Sequence, residues 1–192
     1  MKYLIFLHPL NHDSSVITPF KTLIGMLGFK LIAPNSPDPG KWFEILEWGP
    51  RQEGDRILFN EDKAGIQKAR DYVERVIDKL IYRDVKPQDI YLMGFSQGGC
   101  VATYYGYTGK HNLGKVVGIC SYVPLITDSE EEGKFQKDRK VCLINGTEDE
   151  VVKPEFIKLI AERYPYVDIN WVKCGHKPEP RILLQILEKL VL

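Results

Sequence analysis

The amino-acid sequence predicts an α/β protein with a mostly parallel sheet of about six strands and helices on both faces. Short apolar runs alternate with longer amphipathic segments along the chain, and most of the short runs are continuously apolar, as in strands buried on both faces. Repetition of strand, helix and strand leads to an open parallel sheet covered by helices. The predicted strands span residues 3–7, 29–33, 89–94, 116–120, 140–145 and 168–173.

Helical periodicity is clearest at residues 61–82. Apolar side chains recur there every three or four residues, and charged side chains fill the opposite face. Asn60 is the predicted N-cap, because its side chain can accept a hydrogen bond from a free N–H of the first turn. Pro154 is expected to begin a later helix, and either Pro178 or Pro180 the last one, since proline is favoured at the first helical position.

Two segments break the alternation. Residues 35–60 are rich in proline, glycine and aromatic residues and are predicted to form a long loop with a short helix near residues 41–48. A long loop in a compact domain often carries function, and its aromatic side chains are equally suited to capping the core. Residues 127–138 are strongly charged and are predicted to form an exposed connection with a helical turn.

The composition predicts one soluble domain over residues 1–192, with 44% hydrophobic and 27% charged residues. Lys plus Arg and Asp plus Glu both total 26, so no global charge favours nucleic acid or an anionic membrane as a partner. The apolar N-terminal run is short and has no small-residue cleavage site, which indicates a strand rather than a signal peptide. No stretch approaches the roughly 20 apolar residues of a membrane-spanning helix.

The four cysteines are widely spaced and include no C-x-x-C pair, so the sequence predicts no zinc site. Most of them lie in or beside apolar stretches, where a buried free thiol is expected. Free thiols are typical of a reducing compartment, and we therefore expect a cytoplasmic protein.

Residues 94–98, Gly-Phe-Ser-Gln-Gly, match the G-x-S-x-G pattern of a nucleophile turn. A lone match is weak, but this one lies between a predicted strand and a helical stretch at residues 100–105. In such a turn the serine adopts strained backbone angles that lift its hydroxyl clear of the sheet, and small residues flank it where backbone segments approach closely. The helix that follows favours the negative charge of acyl transfer. Ser96 is therefore the predicted nucleophile.

A serine nucleophile needs a base near neutral pH, and His176 is the predicted one. Among the four histidines, His111 follows the nucleophile helix and is expected at the opposite end of the sheet, while His8 and His12 precede the serine. His176 follows the last predicted strand. It alone satisfies the order serine, acid, histidine that α/β-hydrolases use.

The acid is expected just after the strand that ends near residue 145, where the sequence reads Asn-Gly-Thr-Glu-Asp-Glu. Asp149 is preferred, because a turn after Gly146 can aim its carboxylate back over the sheet, and Glu148 is the alternative. The acid would hold the imidazole in one tautomer and stabilise the imidazolium ion.

Two backbone N–H groups are needed to form an oxyanion hole. The Gln97 N–H directly follows the nucleophile and is the first candidate. The second is expected from the loop after the first strand, where Pro9 has no N–H and Leu10 is therefore the candidate. His8 is expected to brace this loop or to be a hydrogen-bonded histidine at a strand end.

These residues resemble the acyl-protein thioesterase/lysophospholipase/carboxylesterase family of α/β-hydrolases. The resemblance covers most of the chain, and its nucleophile motif and ordered triad are specific to serine hydrolases. The segments similar to the family's motifs are residues 6–8 with Leu10, Trp42-Phe43, Ala64-Gly65-Ile66, 94–99, 121–125, 145–152 and Gly175-His176.

The resemblance implies a compact α/β-hydrolase fold that acts on small-molecule or acyl-protein esters or thioesters without a metal or organic cofactor. It implies that Asp149 is the catalytic acid. Pro9 stands where the family has glycine, and residues 11–13 and 177–180 also depart from its pattern. These departures bear on the oxyanion loop and on acyl specificity. The candidates that the resemblance implies for an apolar acyl groove are Trp42, Phe43, Tyr122, Val123 and Leu125.

Two function classes follow from these observations. The first is a serine esterase or thioesterase, and within the enzyme class an acyltransferase or a lyase would use the same triad. The second is a non-catalytic α/β-hydrolase-fold protein that binds a ligand or partner, since the fold alone does not confer activity. Exposed aromatic residues near the site would support a homodimer that covers the groove.

Overall fold

A computed structural model of the chain describes residues 1–47, 51–53, 56–58 and 60–188. Strands account for the continuously apolar runs of the sequence, and a further pair of strands lies between the second and third of them. In chain order the strands are β1 (Lys2–Leu7), β2 (Phe29–Ile32), β3 (Arg51–Glu53), β4 (Arg56–Leu58), β5 (Ile90–Phe95), β6 (Lys115–Ile119), β7 (Val141–Gly146) and β8 (Asp168–Val172).

Six strands form one sheet in the order β2-β1-β5-β6-β7-β8, and every neighbouring pair is parallel. The six predicted strands are confirmed, with each end within one residue of its prediction. The strand that carries the nucleophile motif is β5, and Gly94 near its end pairs with Leu7 of β1 and Gly118 of β6. The carboxyl ends of these strands therefore meet at one edge of the sheet, where a functional site is expected in such folds.

Helices lie between the strands, as the periodicity predicts. The helix predicted at residues 61–82 is confirmed, Pro154 begins a helix, and Pro180 rather than Pro178 begins the last one. The charged segment at residues 127–138 includes all but the first residue of a short helix at Ile126–Glu131. The α-helices are α1 (Lys21–Met26), α2 (Lys63–Ile81), α3 (Gln97–Thr108), α4 (Ile126–Glu131), α5 (Pro154–Arg163) and α6 (Pro180–Glu188), with 3₁₀-helices at Ser14–Phe20 and Pro87–Asp89.

The sheet separates two hydrophobic cores. Side chains alternate across a strand, so Ile5 and Leu7 of β1 join the core under α2, α3 and α5, whereas Leu4 and Phe6 join the core under α1 and α6. Burial on both faces explains why these strands are apolar at successive positions. Among the described helices, none combines the length and the apolar character needed to cross a bilayer.

The structure corrects three predictions in the segment that leads into α2. The short helix expected near residues 41–48 is wrong for residues 41–47, which form an isolated β-bridge at Lys41 followed by bends and irregular backbone. A side chain of α3 hydrogen-bonds the backbone at Trp42 and Phe43 instead, and Trp48 lies outside the described residues. Residues 51–58 include the antiparallel pair β3 and β4 rather than loop alone. The N-cap of α2 is Asp62 instead of Asn60.

Candidate active site

Ser96 occupies a sharp turn between β5 and α3. Its backbone angles are φ 51° and ψ −119°, a region that L-residues rarely adopt and that costs on the order of 1–3 kcal/mol. The Ser96 N–H donates to the Ile119 carbonyl at 2.8 Å, which ties the turn to β6. The strain predicted for a nucleophile turn is therefore present at this serine.

The glycines on either side of Ser96 are required by close backbone contacts. A Cβ atom at Gly94 would lie 2.1 Å from the Gly98 carbonyl oxygen, and one at Gly98 would lie 2.3 Å from the Leu7 carbonyl oxygen. Neither distance leaves room for a methyl group. The absence of side chains thus lets the start of α3 pack directly against the end of β1.

A chain of hydrogen bonds joins the three predicted triad residues. His176 Nε2 lies 2.9 Å from Ser96 Oγ, and His176 Nδ1 lies 3.0 Å from Asp149 Oδ2. A carboxylate only accepts, so Nδ1 carries the proton that faces Asp149 and Nε2 is left to accept from the serine hydroxyl. This geometry allows His176 to take the Ser96 proton.

Asp149 is itself fixed by the turn that presents it. Its side chain is buried, and its Oδ1 atom accepts hydrogen bonds from the N–H groups of Val151 and Val152 at 2.9 and 2.8 Å. Glu148, the alternative acid, is exposed and lies 4.0 Å from Lys173 Nζ. Of the two carboxylates, Asp149 is therefore the one that the fold brings to His176.

The other histidines occupy different environments. His8 is fully buried, where its Nδ1 donates to the Pro9 carbonyl at 2.9 Å and its Nε2 accepts from the Ser36 N–H at 3.0 Å. His12 is exposed. His111 lies after α3 and pairs with Asp78 of α2 at 2.8 Å. The bracing role expected for His8 fits these two hydrogen bonds.

Leu10 and Gln97 approach the nucleophile from two different elements. Both line the same cavity as Ser96. Gln97 is the first residue of α3, where backbone N–H groups have no acceptor within the helix and are available to a ligand. Leu10 lies in the turn after β1, directly after Pro9. Their roles as oxyanion donors stay predictions that this arrangement permits.

A largely apolar cavity opens beside Ser96. Its walls come from the turn after β1, the loop after residue 42, the start of α3, the segment after β6 and the acid loop with α5. The lining residues are Leu10, Phe43, Glu44, Ile45, Leu46, Glu47, Asn60, Glu61, Ser96, Gln97, Cys100, Tyr122, Val151, Val152 and Phe156.

The five residues predicted to form the acyl groove divide into two groups. Phe43 and Tyr122 line the cavity. Trp42, Val123 and Leu125 lie in the hydrophobic core at 4%, 0% and 6% exposure. Direct contact between these three side chains and substrate stays a prediction.

The same burial bears on the homodimer, which stays a prediction. That expectation needs exposed aromatic residues near the site, but Trp42 and Phe43 are buried and Tyr122 is partly buried. Trp48 and Phe59 lie outside the described residues. The aromatic side chains of the described loop therefore stabilise the protein's own core.

Glu61 lines the cavity, although the sequence predicts for it only a place in the first turn of a helix. Its Oε2 atom accepts a hydrogen bond from the Leu125 N–H at 2.8 Å, and the Tyr122 hydroxyl also hydrogen-bonds to the carboxyl group. Burial raises the pKa of this carboxyl from 4.5 to about 7. An acidic residue just before an amphipathic helix usually faces solvent, so no signal in the sequence indicates its burial.

The Gln97 side chain has a second role in the structure that its sequence position does not predict. It is buried, its Oε1 accepts from the Trp42 N–H at 2.9 Å, and its Nε2 donates to the Phe43 carbonyl at 2.8 Å. A glutamine inside the nucleophile motif offers such a pair of hydrogen bonds, but its partners lie 54 and 55 positions away along the chain.

Similar proteins share this fold over nearly the whole chain. Arabidopsis thaliana SOBER1 superposes with a TM-score of 0.78 at 18% identity, covering 99% of this chain and 97% of that one. A Bacillus cereus carboxylesterase superposes with a TM-score of 0.73 at 15% identity, covering 98% of this chain and 87% of that one. At these identities the likeness demonstrates the α/β-hydrolase fold alone.

Sequence relatives carry the comparison further. The chain is 38% identical over 127 residues to acyl-protein thioesterase 1 of Emericella nidulans. This alignment covers 65% of this chain and 53% of that protein, so it spans about half of the relative's length. It is 28% identical over 205 residues to acyl-protein thioesterase 1 of Gibberella zeae, which covers 95% of this chain and 86% of that protein. The phospholipase/carboxylesterase family model matches residues 1–181. The chain therefore belongs to the phospholipase/carboxylesterase family.

Proposed function

We propose that this protein hydrolyses carboxylic esters or thioesters through an acyl-enzyme formed on Ser96. The observation that carries the proposal is the hydrogen-bonded chain from Ser96 through His176 to the buried carboxylate of Asp149, at the wall of an apolar cavity. Membership of the phospholipase/carboxylesterase family and the acyl-protein thioesterase relatives support the same reaction class.

Acylation begins when Ser96 Oγ attacks the carbonyl carbon and its proton moves to His176 Nε2. The carbonyl oxygen becomes an oxyanion, which the N–H groups of Leu10 and Gln97 stabilise. The tetrahedral adduct then collapses. It expels the alcohol or thiol, which takes the proton from His176, and the acyl group stays on Ser96.

Deacylation repeats these steps with water. His176 removes a proton from the water as the oxygen attacks the acyl carbon, and a second oxyanion forms in the same place. Collapse of this adduct returns the proton to Ser96 and releases the carboxylic acid. Asp149 stays ionised throughout, because its task is to orient the imidazole and stabilise the imidazolium ion.

The cavity supports an apolar acyl group as the recognised part of the substrate. Phe43, Tyr122, Val152 and Phe156 offer it carbon surface, and binding follows from removal of that surface from water. The proposed substrates are small-molecule or acyl-protein esters and thioesters, and the proposed compartment is the cytoplasm. The four free, buried cysteines support a reducing environment.

Covalent labelling by a fluorophosphonate, followed by mass spectrometry of the modified peptide, tests this proposal. We expect labelling at Ser96, no labelling of Ser96→Ala, and loss of labelling in His176→Ala. Hydrolysis of short esters by either variant should fall by at least about 10⁴-fold, because nucleophile and base act as one unit.

His111→Ala is the matched control, since His111 also pairs with a carboxylate but lies away from the site. It should label and hydrolyse like the unmodified protein. Folded protein that neither labels nor turns over any ester or thioester of a chain-length series would contradict the proposal and favour a ligand-binding role.

A further inference from the structure

The two predicted oxyanion donors belong to parts of the chain that are far apart in sequence. Leu10 lies in the turn after β1, and Gln97 begins α3. An oxyanion hole requires donors within about 2.7–3.1 Å of one oxygen position, so the separation of these two N–H groups has to be fixed. A third element hydrogen-bonds residues on either side of Leu10 and the side chain of Gln97.

That element is the segment of residues 36–43, here called the brace. At its first end, the Ser36 N–H donates to His8 Nε2 at 3.0 Å. Near its middle, the Gly40 carbonyl accepts from the Asn11 N–H at 2.7 Å. These two bonds flank Leu10 in the chain, because His8 lies two residues before it and Asn11 lies directly after it.

Trp42 extends the brace toward the same turn. Its indole Nε1–H donates to the His8 carbonyl at 2.8 Å, and its ring packs against the His8 imidazole with 5.0 Å between centroids. The indole is buried at 4% exposure, so water does not compete for this hydrogen bond. Trp42 therefore holds the carbonyl at the start of the turn that presents Leu10.

The other end of the brace is tied to the nucleophile turn. The carboxamide of Gln97 accepts from the Trp42 N–H at 2.9 Å and donates to the Phe43 carbonyl at 2.8 Å. Two hydrogen bonds to neighbouring residues fix both the position and the orientation of the Gln97 side chain. The backbone of the same residue carries the predicted oxyanion N–H.

From these contacts we infer that Trp42 and Gln97, through its side chain, are positioning residues that set the geometry of the oxyanion hole. Trp42 links the Leu10 turn to the brace, and the Gln97 carboxamide links the brace to α3. The inference rests on the proposed function, and it changes the role of Trp42 from substrate contact to support of catalysis.

Two variants test the inference. Trp42→Phe removes the indole N–H but keeps an aromatic ring against His8, and Gln97→Met removes both carboxamide bonds but keeps the backbone N–H and an unbranched side chain. Both should lower kcat for a short-chain ester by about tenfold or more and leave KM within about twofold, because the lost stabilisation concerns the transition state.

Inhibitor affinity separates this role from a merely structural one. A short-chain trifluoromethyl ketone forms a tetrahedral adduct whose oxyanion lies in the hole, whereas the matching secondary alcohol forms no adduct. We expect the ketone to lose affinity in parallel with kcat and the alcohol to bind within about twofold of its original affinity. Trp171→Phe and Gln88→Met, at exposed positions, are the matched controls and should change neither value.

Thermal unfolding of each variant shows whether it is folded at the assay temperature. If Trp42→Phe is unfolded at that temperature, Gln97→Met alone provides the test. Folded variants with unchanged kcat and ketone affinity, or with a change confined to KM and alcohol affinity, would overturn the inference. Fluorophosphonate labelling of the unmodified protein would still support the proposed function in that case, so the two failures are distinguishable.

Discussion

Glu61 carries a carboxyl group that the fold holds beside the cavity next to Ser96. Its hydrogen bonds to Leu125 and Tyr122 favour the ionised form, but burial outweighs them and the negative charge of Asp128 adds to the rise in pKa. Its Oε1 atom is buried without a hydrogen-bond partner among the described residues. The folded state therefore favours the protonated form of this carboxyl more than the unfolded chain does.

Replacement of Glu61 by Gln should therefore change how stability depends on pH. The native pKa of about 7 exceeds the unfolded value of 4.5, so the folded protein binds more protons between these values and its stability falls as pH rises. Compared with the original protein, Glu61→Gln should show little difference near pH 4 and gain up to about 3 kcal/mol above pH 8.

Urea unfolding across this pH range measures the difference. Glu162→Gln, at an exposed position on α5, is the control and should track the original protein at every pH. Parallel pH profiles for the original protein and Glu61→Gln would show that the Glu61 carboxyl ionises as freely in the folded state as in the unfolded chain.

The N-terminus of α2 illustrates how an element depends on one side chain. Asp62 Oδ1 accepts from the Gly65 N–H at 2.9 Å, which satisfies one of the free donors in the first turn. Asp62 Oδ2 accepts from the Glu44 N–H at 3.0 Å. The same carboxylate therefore caps the helix and secures the loop that forms one wall of the cavity.

Asp62→Ala should lower the free energy of unfolding by about 1–2 kcal/mol, because it removes the cap and the loop contact together. Asp62→Asn should retain most of the stability, since the amide oxygen still caps, and Asn60→Ala should be nearly neutral. Chemical denaturation monitored by circular dichroism measures all three. An effect of Asn60→Ala that exceeds that of Asp62→Ala would contradict this assignment of the cap.

At the scale of the whole molecule, the parallel sheet places free thiols on both of its faces. Cys100 belongs to the core under α2, α3 and α5, whereas Cys120 and Cys142 belong to the core under α1 and α6. Burial raises the pKa of Cys100 to about 12 and that of Cys142 to about 11. Since the thiolate is the reactive form, none of these groups should react in the native state.

Reaction of the thiols should therefore report global unfolding. We expect an aromatic disulfide reagent to modify no cysteine of the folded protein within minutes and all four cysteines in denaturant. At intermediate denaturant concentrations, the extent of modification should be proportional to the unfolded fraction. Mass spectrometry of the partly labelled protein should show unmodified and fully modified molecules. Early modification of a single cysteine would reveal local opening of the core that contains it.

Local patterns determined much of this protein in advance. Strands buried on both faces have to be apolar at successive positions, so the six strands of the sheet could be read from the sequence to within a residue. The nucleophile motif needs glycines where backbone meets backbone, and the chain order serine, acid, histidine selects His176 among the histidines. The preference for Asp149 over Glu148 rests on the turn after Gly146 and on the family resemblance. These constraints act over a few residues or through chain order, which is why sequence alone carries them.

Only the tertiary structure decided where the loop before α2 lies and what its side chains contact. Trp42 looks like any aromatic groove residue until the His8 carbonyl is found 2.8 Å from its indole nitrogen. The sequence predicts that Glu61 is a solvated residue at the start of a helix, whereas in the structure its carboxyl group hydrogen-bonds to Leu125 and Tyr122. Both outcomes depend on partners brought together by the packing of separate elements, and no local pattern encodes that proximity. Sequence thus determined which reactive side chains are available, and packing decided which residues line the cavity and which stay buried in the core.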